Sequence, residues 1–465
     1  MKRLIATLVL VALAAFAVVL AVALWPTHTR AVAAGDTASP AVVEAGRYAA
    51  RAGDCIACHT APGGQPFAGG LPMQTPVGTV YSTNITPDRE HGIGAYTLDD
   101  FDRAVRHGIA KDDHSLYPAM PYPNYARVTD ADLRALYAYF MHGVQPVAEA
   151  NKPVDIPWPM SMRWPLALWR KLFGPAVVGP DAAAPPAGAT AQEAVVARGA
   201  YLVEGLGHCG ACHSPRGLGM QEKGLAGTDA AFLAGGAPLE GWVAKNLRGD
   251  ARDGLGGWSE AELVQFLKTG RTDRTAAFGG MTEVVQHSLQ YLGDDDLAAI
   301  AHYLKSLPPV DSQQAPFQPD TQAAQALWKG DDSARGAGLY VDSCAACHRT
   351  DGKGYTRFFP ALAGNTVVQA ADPTSLISIV LNGNTLPGLH AAPSPITMPP
   401  FGWRLSDQQV ADVVTFIRGS WGNQAAPVSA AEVARLRRDD NRATTGTDLG
   451  PGFGGAAAKA EASPH

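Results

Sequence analysis

All six cysteines of this 465-residue chain fall in three copies of Cys-x-x-Cys-His: Cys55/Cys58/His59, Cys209/Cys212/His213 and Cys344/Cys347/His348. That pentapeptide is the attachment site of a c-type haem. Two thiols meet the two vinyl groups of one porphyrin while the adjacent imidazole comes under the iron. A four-cysteine zinc site would use two of the pairs and leave the third pair and three regularly placed histidines unexplained. A disulfide framework belongs to short secreted chains with cores too small to hold them together. The spacing therefore predicts three haem c groups, with His59, His213 and His348 as proximal iron ligands.

Internal repetition selects the sixth ligands. Two helical patterns follow each motif. In the earlier one, Phe101, Ala104 and Val105 match Leu263, Phe266 and Leu267, then Leu376, Ile379 and Val380, and Gly108, Gly270 and Gly383 close the three runs. The later one reads Leu133, Leu136, Tyr137, Phe140; Leu297, Ile300, Ala301, Leu304; Val410, Val413, Val414, Ile417. Thr129, Asp294 and Ser406 are its expected N-caps, with Gln409 completing a capping box. Between closing glycine and later helix, each repeat is expected to carry a loop with one methionine: Met120, Met281 and Met398. A lone methionine ordinarily fills a core. Matched position in three repeats, and the prolines after Met120 and Met398, favour ligation instead. The rivals Met73, His107, His114, Met220, His287 and His390 do not recur across the repeats. Each proximal histidine needs an acceptor for its other ring N–H, and the Pro360 carbonyl is a candidate for His348.

The elements that must position these groups predict a mainly α fold of three tandem c-type cytochrome domains behind an N-terminal apolar segment. The expected domains are residues 40–150, 191–310 and 331–425. Residues 151–190 hold an aromatic segment and linker, 311–330 a linker, and 426–465 a mostly disordered tail with a short helix starting near Ser429. Each domain is small for its own core, and a covalent porphyrin would supply missing apolar surface. Net charge is −6 and no phosphate-neutralising basic run occurs, so nucleic acid is not an expected partner.

After Lys2 and Arg3 the chain is apolar from Leu4 to Trp25 with only Thr7 interrupting, which is long enough to span a bilayer. Ala31-Val32-Ala33 offers a cleavage site, so residues 1–33 are either a signal peptide or a retained anchor. Both readings export the body to the periplasmic face of a bacterial inner membrane. The aromatic segment from Trp158 to Phe173 has three readings: a membrane-interface element, a docking patch for a partner subunit, or a connector packed on the first domain. Gly450, Gly452 and Gly455 have dinucleotide-site spacing but follow no strand. Asp99/Asp100 and Asp294 to Asp296 sit where helices start and favour the dipole, so no catalytic residue is expected.

The three motifs, together with GTVYSTNITPD from Gly78 to Asp88, LYPAMPY from Leu116 to Tyr122, MRWPL from Met162 to Leu166 and FGGM from Phe278 to Met281, resemble the three-haem cytochrome c subunits of membrane-bound periplasmic dehydrogenases. The likeness runs from about Ala45 to Trp421 and includes subunits serving quinoprotein alcohol dehydrogenase and flavin-dependent gluconate and sorbitol dehydrogenases. The resemblance implies a non-catalytic electron-transfer subunit of an oxidoreductase complex. Electrons would come from a PQQ or FAD catalytic subunit and go to ubiquinone in the membrane. His/Met ligation carries over onto His59/Met120, His213/Met281 and His348/Met398. The alternatives are a haem enzyme such as a cytochrome peroxidase, which needs an open iron, and a stand-alone periplasmic carrier.

Overall fold

The computed structural model describes residues 1–178, 188–239 and 241–445; the glycine-rich stretch at 450–455 and the end of the tail lie outside them. Regular structure is mostly helical, and the named strands form three two-stranded antiparallel hairpins. α1 (Lys2–Leu24) carries the apolar N-terminus. α2 (Pro40–Ala52) and α3 (Cys55–Cys58) precede the hairpin β1 (Pro72–Thr75) and β2 (Gly78–Tyr81). α4 (Leu98–His107), α5 (Tyr122–Tyr125) and α6 (Asp130–Ala138) follow, and α6 runs on into a π turn at Tyr139–Gly143. After α7 (Trp164–Phe173), α8 (Ala191–Ala200) ends in a second π turn at Tyr201–Leu206. α9 (Gly210–His213), β3 (Pro238–Leu239), β4 (Trp242–Val243), α10 (Glu260–Thr269), α11 (Gly280–His287) and α12 (Asp294–Ser306) come next. The chain continues through α13 (Gln322–Trp328), α14 (Ala337–Ser343), α15 (Ala345–His348), α16 (Thr366–Gln369), α17 (Thr374–Asn382), β5 (Asn384–Leu386), β6 (Ile396–Met398), α18 (Asp407–Gly419) and α19 (Ala430–Thr445).

Two compact units result: Met1–Ala189 with Ala200–Ala211 and Gly217–Leu225, and Thr190–Gly199 with Cys212–Arg216 and the chain from Ala226. One packing device recurs three times within them. A glycine on the helix before each haem motif, or at the N-cap of that helix in the third repeat, lets the later helix approach so closely that a Cβ could not fit. At Gly46 it would lie 1.8 Å from the Ala135 carbonyl oxygen, at Gly199 2.1 Å from that of Ala299, and at Gly336 2.3 Å from that of Asp412. An aromatic side chain one turn further along the later helix lines each contact: Tyr139, Tyr303 and Phe416. The later helices bury their stripes as their spacing predicts, Tyr137 alone remaining half-buried.

Capping follows the sequence at several helix starts. Thr97 with Asp100, Ser259 with Glu262 and Ser406 with Gln409 form capping boxes, and Thr129 accepts from the Asp132 N–H. Asp294 is a correction. It is the first residue of α12 rather than its cap, which is Gly293, and there it joins Asp295 and Asp296 in a first turn where negative charge meets the helix dipole.

Three stretches expected as linkers or tail carry helices. α13 lies in the 311–330 stretch and buries Leu327 in the core of the third repeat. The helix expected near Ser429 runs 16 residues as α19, capped by Ser429 with Glu432, and adds Val433 and Leu436 to that core. α7 forms within the aromatic segment beside α1, with Trp164 edge-on to Phe16 and Trp169 edge-on to Tyr122. The segment thus lies both against the first unit and beside the apolar N-terminal helix, and Trp158 stays 80% exposed.

The residues after α1 are woven into the first unit. Arg30 makes a bidentate pair with Asp130 at 2.8 Å through both oxygens, Val32 is 8% exposed, and Arg134 donates to the Ala33 carbonyl at 3.1 Å. Asp130 also receives Arg106, which is fully buried and bonded to Asp102 as well.

Candidate haem attachment sites

Each motif includes a single helical turn: α3, α9 or α15. The His59 N–H donates to the Cys55 carbonyl at 3.0 Å and that of His348 to the Cys344 carbonyl at 2.9 Å, so first cysteine and histidine stand one turn apart on one face. None of the six cysteines is in a disulfide. Cys55, Cys209 and Cys344, the first of each pair, are half-buried, and burial pushes the Cys55 and Cys344 thiols up to about 12, which keeps them neutral.

The second cysteines are not equivalent, as three copies of one motif would have them. Cys58 and Cys212 are exposed, whereas Cys347 is half-buried. The helical turns also start differently: α9 at Gly210 and α15 at Ala345, each one residue after the first cysteine, while α3 already includes Cys55. In the third motif the Cys347 N–H donates to the Cys344 carbonyl at 3.2 Å, and the turn carries His348 to 9% exposure. Cys347 thus sits deeper than its two counterparts while keeping its place three residues after the first thiol.

The histidines are oriented identically by backbone carbonyls. Nδ1 of His59 lies 2.7 Å from Thr83 O, that of His213 2.7 Å from Lys245 O, and that of His348 2.9 Å from Pro360 O. A carbonyl can only accept, so Nδ1 carries the proton in all three and Nε2 presents its lone pair. Burial lowers each imidazole pKa against the opposing pull of the carbonyl, which leaves the neutral ring that a metal requires.

Pro360 is the acceptor its position suggested, whereas Thr83 and Lys245 were not foreseen. Their common signal is the asparagine that follows. Asn84 Oδ1 accepts from the Thr86 N–H at 2.9 Å and Asn246 Oδ1 from the Arg248 N–H at 2.8 Å, and this Asx turn fixes the direction of the preceding carbonyl. The surroundings match too. Gly69 donates to His59 O and Gly235 to His213 O, both at 2.8 Å; Ile85 donates to Phe67 O and Leu247 to Leu233 O, both at 2.9 Å. Thr83-Asn84-Ile85-Thr86 set against Lys245-Asn246-Leu247-Arg248 would have found the pair.

The methionines occupy less uniform positions than the repeat implied. Met120 is in a loop, held by its N–H to Tyr117 O at 3.2 Å and by the Tyr122 N–H to its carbonyl at 2.8 Å. α5 ties that loop to the first motif, because Tyr125 donates to the Gly53 carbonyl at 3.0 Å. Met281 and Met398 are corrections to the expectation of loops. Met281 lies in the first turn of α11, which starts after Gly279, where the Trp242 ring leaves no room for a Cβ. Without a following proline nothing stops a helix there. Met398 ends β6 opposite Asn384, since Thr385 and Thr397 extend the ladder before Pro399 ends it. It packs on the same core as Cys344. Of the rivals, Met73 pairs with Val80 in the first hairpin, His107 and His114 face Asp102 and Asp112, His287 faces Glu283, and His390 stacks edge-on to Tyr291.

Two thiols outside any disulfide and a neutral, carbonyl-oriented imidazole per motif fit haem c, and Met120, Met281 and Met398, all partly buried, could supply a thioether to the far side of an iron.

The cytochrome c family model matches residues 196–308 and 333–421. The gluconate 2-dehydrogenase cytochrome c subunit of Pantoea cypripedii is 62% identical over 418 residues, covering 89% of this chain and 93% of that one. The cytochrome c subunit of alcohol dehydrogenase (quinone) from Gluconobacter oxydans (strain 621H) is 54% identical over 403 residues, 86% of this chain and 83% of its own. The fructose dehydrogenase cytochrome subunit of Gluconobacter japonicus is 39% identical over 416 residues, 85% and 82% of the two chains. Likeness of this degree, along nearly the whole of both partners, makes the chain a member of the cytochrome c subunits of dehydrogenase complexes.

Proposed function

We propose that this chain carries three haem c groups and relays electrons from a PQQ- or FAD-dependent dehydrogenase subunit to ubiquinone at the periplasmic face of the inner membrane. When bound, the groups supply a one-electron iron couple at each motif. The observation that carries the reading is the threefold repetition of His Nδ1 on a backbone carbonyl, coupled to the threefold glycine crossing that frames each motif. Cys55 with Cys58, Cys209 with Cys212 and Cys344 with Cys347 are the proposed thioether pairs. His59/Met120, His213/Met281 and His348/Met398 are the proposed axial pairs, and the three domains are those around them.

The chain's own residues set the conditions for relay. The carbonyls hold each imidazole fixed and burial keeps it neutral, which favours rapid electron exchange with little rearrangement. The proposed catalytic partner brings the two-electron cofactor, since no residue of this chain is assigned to accept a hydride. Lys2–Leu24 is proposed as a retained anchor, because cleavage after Ala33 would remove Arg30 from the Asp130 pair and Val32 from its buried place.

The test is reconstitution. The purified chain, given gluconate or ethanol, should keep its haems oxidised; adding a dehydrogenase subunit of the matching type should reduce them, and a ubiquinone analogue should reoxidise them. Reduction by substrate in a preparation containing this polypeptide alone would overturn the relay.

A further inference from the structure

We infer that the first unit holds a binding site for an anionic phospholipid at the foot of α1, with the phosphate among Arg170, Lys171 and Tyr122 and an acyl chain along the helix. The inference rests on the anchor reading above.

A cavity of about 490 Å³ opens beside the segment that follows α1 and is lined by Thr27, Arg30, Arg106, Tyr122, Arg170 and Lys171 among others. Its charges do not cancel. Arg30 and Arg106 are answered by Asp130 and Asp102. Arg170 has only hydroxyl partners, Thr27 Oγ1 at 3.1 Å and Ser115 Oγ at 3.4 Å, and the Lys171 ammonium donates to the Trp25 carbonyl. Among the described residues neither cation meets a carboxylate.

Tyr122 gives the second, independent pointer. Its side chain is 1% exposed and its hydroxyl has no hydrogen-bond partner, so a buried donor faces the cavity unsatisfied. Leaving such a group unpaired is unfavourable, and an oxyanion acceptor would satisfy it. Two cations and a hydroxyl donor match a phosphodiester.

The apolar half lies next door. A groove of about 320 Å³ is lined by Val18, Ala21, Val22, Trp25 and Lys171, so Lys171 belongs to both hollows. The groove runs along the last turns of a helix long enough to cross a bilayer, and the basic cavity sits just beyond its end. With Lys2 and Arg3 at the cytoplasmic end, that places the cations at the headgroup level of the outer leaflet.

Native mass spectrometry of the full haem-loaded chain in mild detergent tests this directly. Added phosphatidylglycerol should remain bound at one per chain in preference to phosphatidylcholine. R170Q/K171Q should weaken retention about tenfold or more, and Y122F, which keeps the ring packed, should weaken it by a few fold with an unchanged haem spectrum. Equal retention of phosphatidylcholine, retention unaffected by both variants, or inorganic phosphate binding as well as the lipid would overturn the site. The same spectra report whether residues 1–33 are present. Their absence overturns the anchor and the site together, whereas an intact N-terminus without bound lipid overturns the site alone.

Discussion

His208 Nε2 lies 3.2 Å from the carbonyl oxygen of Gly53, so the residue before Cys209 is joined to the segment that leads into Cys55. Tyr125 completes the junction. Its hydroxyl donates to the same carbonyl at 3.0 Å and its ring stands edge-on to the His208 imidazole, 5.5 Å between centroids. The residue before the first cysteine is left-handed in both motifs, Asp54 at φ 48° and His208 at φ 38°, a backbone state that needs such fixing. Replacing His208 by Ala should lower the stability of the first unit by about 1–3 kcal/mol, and by Phe, which keeps the ring contact, by about 1 kcal/mol. Denaturant midpoints of the two variants check this; equal losses would show that the ring contact contributes nothing.

The three proposed thioether pairs predict three haems per chain. Haem quantification on denatured protein should give three, and Cys209→Ala with Cys212→Ala should give two. The intact mass would fall by one haem plus the two sulfur atoms.

A thioether is a weaker donor than an imidazole and favours the reduced iron. Met120→His should lower the potential of one haem on the order of a tenth of a volt, within the roughly 0.8 V that axial ligation spans. Met281→His should do the same to a second haem. A redox titration in which all potentials stay put would remove the residue from the ligand set.

Asp130 makes the first unit acid-sensitive. Hydrogen bonding from Arg30, against the cost of burial and with further help from Arg106, holds its carboxyl well below the usual range. A depressed native pKa adds stability that is complete above the unfolded value near 4 and drains away as pH falls toward the native one. Wild type should therefore lose stability below about pH 4. Asp130→Asn should be weaker at pH 7 by on the order of 2 kcal/mol and flatter with acid, measured by urea unfolding from pH 7 to 3.

The glycine crossings admit no methyl group. Gly46→Ala and Gly199→Ala should each cost about 1–3 kcal/mol or more through overpacking, in separate units, and thermal melts of the two variants check it.

Legibility in the sequence followed the range of each interaction. The Cys-x-x-Cys-His motifs, the buried stripes and the Ser406/Gln409 capping box are local patterns of fixed period, so they could be read directly. Gly46, Gly199 and Gly336 could not, because their meaning depends on a helix far along the chain, although each precedes its motif by a similar distance. Thr83 and Lys245 act through backbone carbonyls, which leave no residue-type mark beyond the following asparagine. The deeper seat of Cys347 leaves no mark either, since its pentapeptide has the same spacing as the other two. Met281 and Met398 were located by order along the chain, which says nothing about whether a helix or a strand presents them. The embedding of Arg30 in the first unit was equally hidden, since an apolar run followed by Ala31-Val32-Ala33 reads the same whether or not Asp130 awaits it.

The three crossings also tie off a length of chain in every repeat. The glycine and the later helix that meets it stand on either side, in sequence, of the Cys-x-x-Cys-His motif, its carbonyl acceptor and the methionine. Each crossing therefore fastens the two ends of the stretch that carries all of a repeat's candidate ligands, and a truncation that removed the later helix would leave that whole stretch unfastened.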